Sequence, residues 1–194
     1  MHLFEKKIIE QSCHEINRRG FLTLGLLTVS ACLVPAPAQS ALKNFFIQKK
    51  TLSFYNTHTE EHLETVYWNR GMYIPDAMDR INTILRDHYT GDISPIDPDL
   101  LDLLFALRAK VKTREPFHII SGYRSPQTNE FLWRQGHGVA KNSMHLYGKA
   151  ADIRLPGYEL SNLRQVAVSL RSGGVGYYPG SDFIHVDTGR IRCW

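Results

Sequence analysis

Ten residues, Ser143-Met144-His145-Leu146-Tyr147-Gly148-Lys149-Ala150-Ala151-Asp152, constrain this chain more than any other stretch. They set a histidine and an aspartate close together, and a second histidine returns far downstream in the apolar run Phe183-Ile184-His185-Val186-Asp187. Two imidazoles and one carboxylate are the ligand set of a catalytic zinc site whose fourth position stays open for water. The chain has 3 cysteines, so the four-thiolate set of a structural zinc site is missing. A fold that uses the pattern must turn a loop carrying His145 back over a strand presenting Asp152, and must deliver His185 from a remote strand.

Each residue has a plainer reading. Gly148, Ala150 and Ala151 are small enough for a tight turn, and an aspartate in Ala150-Ala151-Asp152-Ile153 is costly to bury without a partner. A metal ion is one such partner; an arginine or a backbone amide is the other. Period-two alternation puts His185 and Asp187 on one face of a strand and Ile184 and Val186 on the other. A core histidine satisfied by hydrogen bonds fits that pattern, and so does a metal ligand with a supporting carboxylate.

The front of the chain reads as an export leader over residues 1–41, with the working domain over residues 42–194. Arg18-Arg19-Gly20-Phe21-Leu22 leads into the apolar run Thr23-Leu24-Gly25-Leu26-Leu27-Thr28-Val29, and small residues follow around Ala36, Ala38 and Ala41. A positive start, a short apolar segment and a small-residue zone mark a secretory signal cut after Ala38 or Ser40. The paired arginines resemble a twin-arginine signal, so a periplasmic location is expected. Val29-Ser30-Ala31-Cys32 gives a competing lipobox reading, with a lipid anchor on Cys32. The apolar run is too short to span a bilayer, and no transmembrane segment is expected in the mature chain.

The 194 residues allow one domain plus this appendage, with 43% hydrophobic and 22% charged residues as in ordinary globular proteins. The net charge of +4 comes without a Lys/Arg stripe interleaved with aromatics, which argues against nucleic acid as a partner. Patterning predicts a hairpin (Leu52 to Asn56, Leu63 to Trp68), helices over Ile74 to Tyr89 and Asp99 to Lys112, and a buried strand over Phe117 to Ser121. A short helix over Gln127 to Gln135, a strand over Ala150 to Leu155 and a helix over Glu159 to Arg171 follow. Two closing strands, Val175 to Tyr178 and Phe183 to Asp187, are joined at Pro179-Gly180. The order gives an α+β domain with its sheet built largely from the C-terminal half.

Ser143-x-His145-x-x-Gly148-x-Ala150-x-Asp152 with Phe183-Ile184-His185-Val186-Asp187 resembles the zinc D-alanyl-D-alanine peptidases, which share their fold with the hedgehog signalling domain. Ser121-Gly122-Tyr123-Arg124-Ser125 and Gly174-Val175-Gly176-Tyr177-Tyr178-Pro179 bring it nearest to the exported murein endopeptidases, over roughly Leu52 to Trp194. The resemblance implies an α+β domain with an antiparallel sheet carrying one zinc ion, held by His145, Asp152 and His185, with helices packed on the sheet. It places Arg124 against the scissile carbonyl or a substrate carboxylate and gives Ser143 a part in seating substrate. The general base falls on Asp182, three residues before the last histidine, with Asp187 as its rival. The substrate implied is the peptide stem of peptidoglycan, cut at D-alanine–meso-diaminopimelate or meso-diaminopimelate–meso-diaminopimelate cross-links by a monomer. Alternatives are a D-alanyl-D-alanine carboxypeptidase or dipeptidase, or a zinc-holding wall-binding module without catalysis. His58, His62, His88, His118 and His137 read as ordinary.

Overall fold

Alternation of apolar and polar residues sets the first two strands, β1 (Lys49–Asn56) and β2 (His62–Asn69). Leu52 and Phe54 on one and Leu63 and Tyr67 on the other turn inward and are buried, as period-two geometry requires. The computed structural model describes residues 48–136 and 139–194. The leader expected over residues 1–41, its paired arginines, the Cys32 lipobox and His137 lie outside the described residues. Among the described residues, no helix is long and apolar enough to cross a membrane.

After the short strand β3 (Met72–Tyr73) comes helix α1 (Pro75–Ile84), which stops well before the expected Tyr89. Tertiary hydrogen bonds override the helical pattern there. The carbonyl of fully buried Leu85 accepts from the Tyr123 N–H at 2.7 Å, and the Asp87 carboxylate accepts from the N–H groups of Tyr89 and Ser125. Helix α2 (Pro98–Val111) starts where Asp97 accepts from the Asp99 N–H, and ends at Lys112 in the left-handed region, a usual helix stop. Strand β4 (Phe117–Ser121), helix α3 (Pro126–Arg134), strand β5 (Ala150–Arg154), helix α4 (Leu160–Leu170) and strands β6 (Gly174–Tyr178), β7 (Phe183–Asp187) and β8 (Arg192–Cys193) complete the order.

Among the described residues, all eight strands form one sheet in the order β3-β2-β1-β4-β5-β7-β6-β8. The sheet is mixed, which corrects the antiparallel expectation. β1 pairs parallel with β4 and β6 parallel with β8, while the other pairs are antiparallel. The first parallel pair follows from the path of the chain: α1 and α2 intervene between β1 and β4, and a crossover of that length lets the second strand run in the same direction. Three strands precede α1 and five follow α2, so the sheet is drawn largely from the C-terminal half, as expected, with the N-terminal strands forming one edge.

Helix α1 packs on β2, α2 on β1, and α4 on α2, β6 and β7. The core therefore lies on one face of the sheet, where Phe117, Ile119, Ile153, Ile184 and Val186 point. Alternation sends Asp152, His185 and Asp187 to the other face.

Candidate metal centre

The antiparallel register of β5 and β7 sets Asp152 directly opposite His185. Opposed residues on one face have Cβ atoms about 4.5–5.5 Å apart, so one strand pairing joins a carboxylate and an imidazole that are remote in sequence. His145 arrives on a 3₁₀ turn, Met144–Tyr147, capped by the Ser143 hydroxyl, which accepts from the His145 N–H at 3.4 Å. Gly148 ends the turn at φ +64°, where a Cβ would collide with the Pro95 carbonyl, so both conformation and space demand glycine. The His145 carbonyl accepts from the Arg124 N–H at 3.1 Å and the Gly148 carbonyl from the Asp97 N–H at 3.0 Å. Those bonds tie the turn to the ends of β4 and α2.

Outer partners fix both rings. His145 Nδ1 donates to the Gly122 carbonyl at 2.6 Å, so Nε2 turns its lone pair inward. His185 Nε2 donates to Asp187 Oδ2 at 2.9 Å, which turns Nδ1 inward. The inward atoms form a buried triangle: His145 Nε2 to His185 Nδ1 is 3.1 Å, His185 Nδ1 to Asp152 Oδ1 is 2.9 Å, and His145 Nε2 to Asp152 Oδ1 is 3.2 Å. Three acceptors this close repel one another unless a positive charge joins them.

Burial drives His145 below the ordinary imidazole range. Burial also opposes charge on His185, but hydrogen bonds to Asp152 and Asp187 outweigh it and raise that ring. For Asp152, burial pushes the carboxyl up, and the two imidazoles overcome it and hold the group far below its usual range. A proton on His185, between two carboxylates, thus balances the metal-free cluster. A divalent cation fits the same place: atoms bound tetrahedrally at about 2.0–2.1 Å stand roughly 3.3 Å apart, close to the triangle edges. These three residues are a group able to hold a metal ion.

A cavity of about 310 Å³ opens over the triangle, lined in part by Arg124, Ser143, Tyr178, Phe183 and Trp194. Arg124 is buried, and its Nη2 donates to Ser121 Oγ at 3.1 Å and Asp152 Oδ2 at 3.4 Å. Asp152 therefore shows one oxygen to the imidazoles and the other to the guanidinium. Trp194 reaches the cavity because Gly176, paired with His185, has no side chain; a Cβ there would lie 2.8 Å from the indole. The indole N–H donates to the Tyr178 hydroxyl at 2.8 Å.

The two candidate bases are placed very differently. Asp187 is fully buried behind His185 and also accepts from Arg192 and from the N–H groups of Gly174 and Gly189. Burial pushes its carboxyl up, but His185 and Arg192 prevail and hold it well below the carboxylate range. Asp182 is exposed, ion-paired with Arg154 at 3.3 Å, and is not among the residues lining the cavity. The fold thus gathers His145, Asp152, His185, Arg124 and Ser143 around one cavity and leaves Asp182 outside it.

Sequence reasoning missed Trp194, Arg192 and the Gly122 carbonyl. Glycines at alternate positions of β6 were an available signal, because a bare strand position marks a close approach. Nothing in the sequence tied Arg192 to Asp187.

The family model described as peptidoglycan L,D-endopeptidase MepK matches residues 45–194. The peptidoglycan L,D-endopeptidase MepK of Escherichia coli (strain K12) is 41% identical over 180 residues, covering 93% of this chain and 98% of that protein. A Haemophilus influenzae protein named probable peptidoglycan L,D-endopeptidase MepK is 36% identical over 179 residues, covering 92% and 95%. With the match running through the His145 turn, both strands beneath it and the terminal Trp194, the chain belongs to the MepK family of M15-type peptidases.

Proposed function

We propose that this chain is an exported zinc metallopeptidase that hydrolyses the peptide cross-links of peptidoglycan, acting as a periplasmic monomer after loss of residues 1–41. The observation that carries the reading is the triangle of inward lone-pair atoms with both outer imidazole nitrogens pinned. The relatives' name specifies L,D bonds. A meso-diaminopimelate–meso-diaminopimelate link joins an L-centre carbonyl to a D-centre amine, whereas D-alanine–meso-diaminopimelate joins two D centres. The former is therefore the preferred substrate.

His145, Asp152 and His185 hold the ion. When bound, zinc supplies Lewis-acid chemistry, polarising a carbonyl and making water a nucleophile near neutral pH. Gly122 and Asp187 keep the two imidazoles in the tautomers that ligation needs, which makes Asp187 a positioning residue. Arg124 offers fixed donors to the oxyanion that develops on the scissile carbonyl, and Ser143 seats the peptide at the cavity wall. Asp182 takes the proton from water and passes it to the leaving amine. Among the described residues its carboxylate pairs with half-buried Arg154, and this role requires it to turn from there to the cavity mouth beside Phe183. Asp182→Asn then lowers kcat with little change in KM; an unchanged kcat rejects that role.

The test is incubation of the purified protein with cross-linked muropeptide dimers, with zinc and with a chelator, followed by mass spectrometry. Zinc-dependent conversion of dimers to monomers is expected. Dimers that stay intact with zinc present sink the reading, and loss of terminal D-alanine from uncross-linked pentapeptide would then point to a carboxypeptidase.

A further inference from the structure

A second cavity, about 220 Å³, adjoins the first across Arg124 and Asp152, which line both. Its walls include His58, His88, Tyr89 and Tyr123. His58 comes from the turn between β1 and β2, and His88 from the segment after α1; their rings lie parallel, 3.7 Å apart with an interplanar angle of 2°. Both segments are braced. His58 Nε2 meets the Ile120 carbonyl at 3.1 Å, the His58 N–H donates to Asn56 Oδ1, and Asn56 Nδ2 donates to the Ile84 carbonyl at 2.9 Å.

The wall of this cavity holds one permanent cation, and its two carboxylates are turned to partners within the protein. Arg124 is a permanent cation, and the Asp152 carboxylate beside it is already engaged by Arg124 and His185. Asp87, the other acid in the wall, is buried and spends its oxygens on the N–H groups of Tyr89 and Ser125. Burial, helped by His58 and Arg124 and opposed by Asp87, pushes His88 down to about 4, so it offers the cavity a neutral imidazole beside the Arg124 cation.

A meso-diaminopimelate residue on the amine side of the cleaved bond carries a free carboxylate on the carbon bonded to the scissile nitrogen. That group must lie within a few ångströms of the reacting atoms, and Arg124 is the shared wall between them and this cavity. We propose that the second cavity is the subsite for that α-carboxylate, with the stacked His58–His88 pair and Arg124 as the groups that recognise it. The proposal rests on the cross-link peptidase reading above.

The test uses two muropeptide dimers that differ only in whether that carboxylate is free or amidated, with the full-length zinc-loaded protein, His88→Leu and His58→Gln. The wild type is expected to prefer the free carboxylate by about tenfold or more in kcat/KM, mainly through KM, as losing a charged hydrogen bond implies. In each variant that ratio should fall to within about threefold, and a thermal melt of each variant checks that it is folded. Equal cleavage of both dimers by the wild type, or full preference retained in a folded variant, overturns the subsite alone. Cleavage of neither dimer by the wild type takes down the peptidase reading and the subsite with it.

Discussion

Replacing Asp187 by asparagine keeps the shape and removes the charge from a group that is fully buried and accepts from His185, Arg192, Gly174 and Gly189. If the amide oxygen keeps the two glycine N–H groups, the NH₂ faces the His185 Nε2–H and an Arg192 donor. His185 loses the acceptor that fixes its tautomer, and its proton moves to the nitrogen that faces the metal site. Removing such a supporting partner typically weakens metal affinity 10- to 100-fold, about 1.4–2.7 kcal/mol. Breaking a buried ion pair costs about 3–5 kcal/mol, and because the Arg192 side chain is 31% exposed, the lower end of that range applies. For a domain of this size, about 3 kcal/mol lowers Tm by roughly 6–12 °C.

Chelator-competition titration with zinc measures the first effect, and calorimetry of the metal-free protein the second. Since the folded Asp187 carboxyl is held below its usual range, its contribution to stability is present above the unfolded value of about 3.9 and is lost as pH falls through the folded one. The gap between wild type and Asp187→Asn should close over that acid range. A zinc Kd within twofold of wild type, with Tm unchanged, would refute the tautomer argument.

Three further outcomes follow. Gly122→Ala places a Cβ against the Leu85 backbone carbonyl and shifts the carbonyl that orients His145; thermal denaturation should show a loss of about 1–3 kcal/mol or more, accompanied by weaker zinc binding. Arg124→Lys keeps the charge but loses the planar fork, and steady-state kinetics on cross-linked dimers should show kcat reduced by about 10²–10³ with zinc content unchanged. His88, held down to about 4, stays neutral while the unfolded chain protonates below about 6.5. Wild type therefore loses stability as pH falls from 6.5 towards 4, and denaturant titrations should show a shallower acid slope for His88→Gln.

Much of the scaffold was legible in short-range pattern. β4 and β7 lie where alternation and apolar runs put them, and α2 begins at its Asp-Pro cap. The pairing that sets Asp152 against His185 is consistent with one residue type recurring on one strand face. What was not legible depends on the path of the chain. The parallel pairing of β1 with β4 follows from the intervening helices, and α1 stops early because Leu85 and Asp87 are recruited by the segment around Tyr123 to Ser125. His58 and His88 carry no local signal, since their stacking exists only once two loops meet. Asp182 was read from its spacing before His185; its left-handed backbone and its resting ion pair with Arg154 carry no local signal.

Anomalous diffraction above and below the zinc edge, from crystals grown with one equivalent of zinc, addresses the centre of this account. A single peak is expected about 2.0–2.1 Å from His145 Nε2, Asp152 Oδ1 and His185 Nδ1. A fully loaded, active protein with its zinc bound elsewhere, or with no zinc at these three atoms, would contradict it.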